Sequence, residues 1–85
     1  MAICIDVRER GLIHLLKCLK PTVASLAVGD IICSYEDNPS WVMERKSADD
    51  LARAIIDGRW VDQTARLMTS GYRYVFFVAE GIYRL

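Results

Sequence analysis

Eighty-five residues allow one domain at most, near the small end of what a single hydrophobic core sustains. A hydrophobic share of 53% excludes a disordered chain, and eleven basic side chains against eleven acidic ones exclude a grip on nucleic acid by bulk charge. No run reaches membrane-spanning length, no signal segment opens the chain, and Cys4, Cys18 and Cys33 form neither a zinc spacing nor a disulfide framework.

Ala2-Ile3-Cys4-Ile5 is a continuous apolar run ending in Asp6 and reads as a buried strand. Gly11 to Leu19 follows as a helix with Leu12, Leu15, Leu16 and Leu19 inward, stopped by Pro21; His14 lies off that face as a surface or boundary residue. Strands are expected at Thr22–Leu26, Asp30–Tyr35 and Ser40–Arg45, with a turn at Glu36-Asp37-Asn38-Pro39; the short links predict antiparallel neighbours. Ser47 is placed as a helix N-cap with Asp50 three residues on, and Leu51, Ile55 and Ile56 form the apolar stripe before Gly58. A further helix spans about Trp60–Ser70 with Trp60, Leu67 and Met68 inward, and Tyr74–Ala79 is a second fully apolar strand. The order β-α-β-β-β-α-α-β predicts a central mixed sheet flanked by helices, with the first and last strands at its centre. The three cysteines read as buried thiols in a reducing compartment, which makes the protein intracellular.

Asp6, Asp30 and Glu44 all fall at strand ends, fourteen residues separating the last two. Magnesium prefers oxygen ligands and keeps several waters, so two or three such carboxylates suffice, with the backbone carbonyl of Arg45 as a further donor. Lys46 follows Glu44 at spacing two and shares its side of an extended strand, where an ammonium can orient a nucleophilic water or offset charge on a phosphorane-like transition state. Each residue also has an ordinary reading: Asp50 as a helix cap, Glu44 with Lys46 as a surface ion pair, Asp30 as a turn residue after Gly29. If Asp6, Glu9, Asp30, Glu44 and Asp50 cluster, Arg8, Arg10, Lys17, Lys20, Arg53, Arg59, Arg66 and Arg73 face fewer acids, and the neutral chain has room for local positive potential.

Gly29-Asp30 followed by Glu44-Arg45-Lys46-Ser47-Ala48-Asp49-Asp50 resembles the signature of the XPF (ERCC4-domain) family of structure-specific DNA endonucleases, including its crossover-junction relatives. Ile5-Asp6-Val7-Arg8-Glu9, Leu26-Ala27-Val28-Gly29-Asp30, Ile56-Asp57-Gly58-Arg59 and Gln63-x-x-Arg66-Leu67 resemble its other blocks, in order and over almost the whole chain. Ala27 stands where the family has proline.

The resemblance implies a restriction-endonuclease-like core over residues 1–85, truncated or minimal and lacking the family's last strand, helices and tandem helix-hairpin-helix domain. It implies magnesium- or manganese-dependent cleavage near branched, flap or fork DNA in repair and recombination, nuclear in a eukaryote. Asp30 and Glu44 would be metal ligands and Lys46 the catalytic lysine. Asp6 and Asp50 would complete the acidic cluster, with Arg8, Glu9 and Arg45 lining it. Arg59, Gln63 and Arg66, at i, i+4 and i+7, form one helix face that supports the site or touches the DNA backbone. The expected partner besides DNA is a second copy or a related subunit. Two other functions share these residues: a non-catalytic partner subunit of the same fold, and a hydrolase of another phosphodiester such as a cyclic dinucleotide.

Overall fold

The structure, a computed structural model, describes residues 2–36 and 38–81; Asp37 of the expected turn and residues 82–85 lie outside them. The strands are β1 (Ala2–Asp6), β2 (Thr22–Ala24), β3 (Ile31–Tyr35), β4 (Asn38–Ser47) and β5 (Tyr74–Glu80). The helices are α1 (Arg10–Leu15), α2 (Ala48–Ile56) and α3 (Arg59–Met68), with a 3-10 turn at Lys17–Leu19. Element types and their order are those expected, and they assemble into one mixed sheet in the order β2-β1-β3-β4-β5.

The pairing departs from expectation twice. β2 and β3, joined by the short Val28-Gly29 link, are not neighbours: β1 lies between them, parallel to β2 and antiparallel to β3. Of the short links only the one from β3 to β4 joins antiparallel neighbours. The last strand is not central either. β5 pairs with β4 in parallel through the two-helix crossover and forms a sheet edge, with Tyr74, Phe76 and Phe77 exposed. An apolar run states that a strand prefers burial; the connection decides where it can dock.

Among the described residues the fully buried apolar set is small: Ile5, Ile31, Cys33, Val42, Ala54 and Leu67. Leu15 and Leu19, expected inward, are exposed. The α-helix stops after Leu15 and tightens into a 3-10 turn, so the 3.6-residue spacing that united the four leucines no longer holds. Lys20 then turns the chain with a left-handed backbone, φ 51°. On α2 the buried position is Ala54, and Ile55 and Ile56 face outward. On α3 Leu67 is buried and Met68 exposed. The cysteines also divide: Cys33 is buried, Cys4 half-buried and Cys18 exposed.

Side chains alternate across a strand, so Val42, Glu44 and Lys46 share one face of β4, and Trp41, Met43 and Arg45 the other. Phe77, the register partner of Glu44, meets the Trp60 ring edge-on at 5.2 Å, which places α3 over the Glu44 face.

Candidate active site

Backbone bonds bring the three strand-end acids together. The N–H of Asp6 donates to the Asp30 carbonyl at 2.8 Å, and the N–H of Asp30 donates to the Met43 carbonyl at 2.8 Å. One residue, Asp30, thus ties the end of β1 to β4 immediately before Glu44. Gly29 permits the approach: its backbone is left-handed, φ 76°, and a Cβ there would run into the Val42 side chain and lie 3.3 Å from the Met43 carbonyl.

Asp6, Asp30 and Glu44 line one cleft of about 440 Å³, together with Arg8 and Glu9 after β1 and Gln63 and Arg66 from α3. Their roles differ. Asp6 is 1% exposed, and both its oxygens are engaged: Oδ2 accepts from the N–H and Nε of Arg8 at 3.1 and 2.7 Å, and Oδ1 from the N–H of Leu26 at 2.8 Å. The Arg8 guanidinium, helped by that N–H, lowers the Asp6 pKa to about 2. With both oxygens engaged, Asp6 also clasps the end of β1 to the loop before Gly29.

Asp30 Oδ2 accepts the N–H of Arg45 at 2.7 Å. Glu44 is half-buried, and burial followed by the Asp30 charge pushes its pKa up, with Lys46 opposing. Glu9 behaves alike: burial raises its pKa, the Asp30 charge adds to this, and Arg45 opposes. Carboxylates crowded this way favour a cation among them.

The donor set suits a hard divalent metal, with two carboxylates facing the cleft and room for waters. Among the described residues no three acidic, histidine or cysteine side chains converge on one point. The carboxamide oxygen of Gln63 is buried without a hydrogen-bond partner among the described residues. A water held at the carboxylates would give it a donor.

The remaining candidates separate. Lys46 is half-buried on the Glu44 face, close enough to act on the Glu44 carboxyl, but it is not part of the cleft wall. Asp50 is exposed outside the cleft; its N–H donates to Ser47 Oγ at 3.1 Å and its carboxylate sits 3.7 Å from Arg53. Ser47 is therefore the expected N-cap, and Asp50 does not return the bond as a capping box requires. Arg59 also lies away from the cleft: as first residue of α3 it pairs with Asp57 at 3.2 Å, so the face expected from Arg59, Gln63 and Arg66 reduces to the last two.

Arg45, expected among the residues lining the acidic cluster, turns its side chain to two acids. Its guanidinium ends between Glu9 at 3.3 Å and Glu80 at 3.2 Å, joining the cleft wall to the end of β5. The available signal was Glu80, a lone acid closing an apolar strand.

Comparison with known proteins gives one consistent result. The ERCC4 domain family model matches residues 5–85. A probable crossover junction endonuclease mus81 of Dictyostelium discoideum is 35% identical over 94% of this chain, which spans 9% of that protein. The crossover junction endonuclease MUS81 of Arabidopsis thaliana is 34% identical over 74% of this chain and 11% of its own. Among solved structures, XPF from Aeropyrum pernix superposes with a TM-score of 0.78 at 32% identity, covering 96% of this chain and 38% of that one. The same protein in complex with DNA gives 0.76 at 33% identity, covering 95% and 40%. The chain thus spans about a tenth of the curated relatives it matches.

Proposed function

The chain belongs to the ERCC4 domain family, and from that membership we propose that it is the metal-dependent core of a structure-specific DNA endonuclease. It hydrolyses phosphodiester bonds near branched, flap or fork DNA, with magnesium or manganese as cofactor. The observation that carries this reading is the backbone register that delivers Asp30 and Glu44 into one cleft with Lys46 one pleat further along β4.

Asp30, Glu44 and the backbone carbonyl of Arg45 would hold the metal. The carbonyl is suited to this: in an extended strand a residue's N–H and C=O leave on the same side, and the N–H of Arg45 is directed at Asp30. Bound there, the metal would supply Lewis acidity toward a phosphoryl oxygen and a water of lowered pKa. Lys46 would orient an attacking water and offset negative charge on the phosphoryl oxygens. The unpartnered oxygen of Gln63 would accept a hydrogen bond from a water in the cleft. Arg8 and Arg66, both lining the cleft, receive the phosphate backbone, and Asp6 holds Arg8 in place. Asp50 and Arg59 support the helices that frame the site rather than touch substrate.

The partners in this reading are branched DNA and a second copy or related subunit, and the place of work is the nucleus in a eukaryotic cell. No helix among the described residues is long and apolar enough to cross a membrane.

The test is cleavage of an end-labelled fork or flap with magnesium, comparing the wild-type chain with Glu44→Gln and Lys46→Ala. Loss of cutting in both supports the assignment; equal cutting by all three overturns it. Titration with manganese separates an inert partner subunit, which would show no heat dependent on Glu44, and a panel including a cyclic dinucleotide separates another phosphodiester substrate.

A further inference from the structure

The net charge of zero hides a strong separation along the chain. Residues 7–29 carry four cations, Arg8, Arg10, Lys17 and Lys20, and a single acid, Glu9; the rest of the chain carries seven cations and ten acids. The one acid is half-buried and its carboxylate is 3.3 Å from Arg45, so it does little to neutralise its neighbours. All four cations are exposed.

Arg10 lies on α1 and Lys17 in the 3-10 turn that continues it. On α1 and the turn that continues it, Leu12, Ile13 and Leu16 are half-buried, whereas Arg10, His14 and Lys17 are exposed, with Leu15 exposed beside them. Arg10 is two residues from Arg8, which forms part of the cleft wall.

A second, independent feature lies beside Arg10. Gly11 sits inside α1, where glycine weakens a helix, and no steric demand of the fold accounts for it: a Cβ there would have nothing within 4 Å. Nor does Gly11 adopt a left-handed backbone. A glycine of this kind, exposed next to Arg10, leaves room for an external backbone to come close.

We propose that the outward face of α1 and its 3-10 continuation, Arg10, Gly11, His14 and Lys17, is a phosphate-binding ridge that carries the DNA flanking the cleft. This rests on the nuclease reading above. The ridge provides sequence-independent contacts that set the position of the strand, and the local concentration of cations lets a neutral chain bind a polyanion.

The experiment is fluorescence anisotropy of a labelled fork with the full chain, without divalent metal, over a series of salt concentrations. Each lost phosphate contact lowers the slope of log K against log salt by about 0.9, so Arg10→Ala/Lys17→Ala is expected to lower it by about 1.8, and Arg53→Ala/Arg73→Ala on other elements to leave it unchanged. An unchanged slope in the first variant, or an equal fall in the second, overturns the ridge and leaves the nuclease reading standing. Gly11→Ala is expected to raise the unfolding temperature and weaken binding several-fold; binding equal to wild type overturns the close approach. If the wild-type chain binds no fork at all, the nuclease reading falls and the ridge with it.

Discussion

The carboxylate of Asp30 accepts the backbone N–H of Arg45 at 2.7 Å. A side chain from the start of β3 thereby completes the edge of β4 just past their last ladder pair, Ile31 with Met43. Asp30 has two duties in consequence, holding β4 in register and presenting negative charge to the cleft, and substitutions can separate them. Asp30→Asn keeps an acceptor for the N–H and removes the charge; Asp30→Ala removes both. Chemical denaturation is expected to show a loss of about 1.5–3 kcal/mol for alanine and under about 1 kcal/mol for asparagine. Cleavage is expected to vanish in both.

Asp6 sets an acid limit on stability. Its pKa is lowered from 3.8 to about 2 by Arg8 and the Leu26 N–H, so the folded state binds its proton less readily than the unfolded chain. The contribution is present above pH 3.8 and lost as pH falls through about 2. Unfolding temperatures followed from pH 5 to pH 2 should drop steeply for the wild type. Asp6→Asn should start lower and follow a flatter acid limb; parallel curves would show that the clasp contributes nothing.

Glu44 and Glu9 act with the opposite sign. Burial and the Asp30 charge raise both pKa values above 4.5, so the folded state binds these protons more tightly than the unfolded chain, and stability falls as pH rises from 4.5 through the folded values. A divalent cation should reverse that loss once the carboxyls ionise. Thermal shifts on adding manganese are expected to be larger at pH 7 than at pH 4.5. In Glu44→Gln the metal-free protein should be the more stable one and the shift small; a full shift in that variant would remove Glu44 from the ligand set.

Gly29→Ala tests the joint on which the site depends. The new Cβ would occupy a left-handed backbone and strike Val42, a fully buried side chain. Left-handed strain costs about 1–2 kcal/mol and overpacking about 1–3 kcal/mol more, so denaturation should show a loss of about 2–5 kcal/mol. Gly58→Ala shares the left-handed φ, at 78°, but meets nothing within 4 Å, and should lose only the strain.

Much of the site was legible because its logic is local. Gly29-Asp30 and Glu44-Arg45-Lys46 are each read from a few adjacent residues, and period-two alternation puts Glu44 and Lys46 on one face without knowledge of the fold. The roles within the set were not legible. Asp6 looks in sequence like Asp30, yet the former has both oxygens engaged by Arg8 and Leu26, a contact across twenty residues. Arg59 shares a helical spacing with Gln63 and Arg66, but spacing does not tell where along the helix the cleft wall begins.

The amino-acid sequence by itself determined the order of the elements and the Ser47 cap. These depend on backbone preference and side-chain period over a few residues. Tertiary structure alone decided that β1 inserts between β2 and β3, that apolar β5 forms an edge, and that Leu15, Ile56 and Met68 face outward. It also decided that Arg45 links Glu9 to Glu80. The reason is physical: an apolar side chain is buried only where another element covers it, and a charge finds its partner through space rather than along the chain.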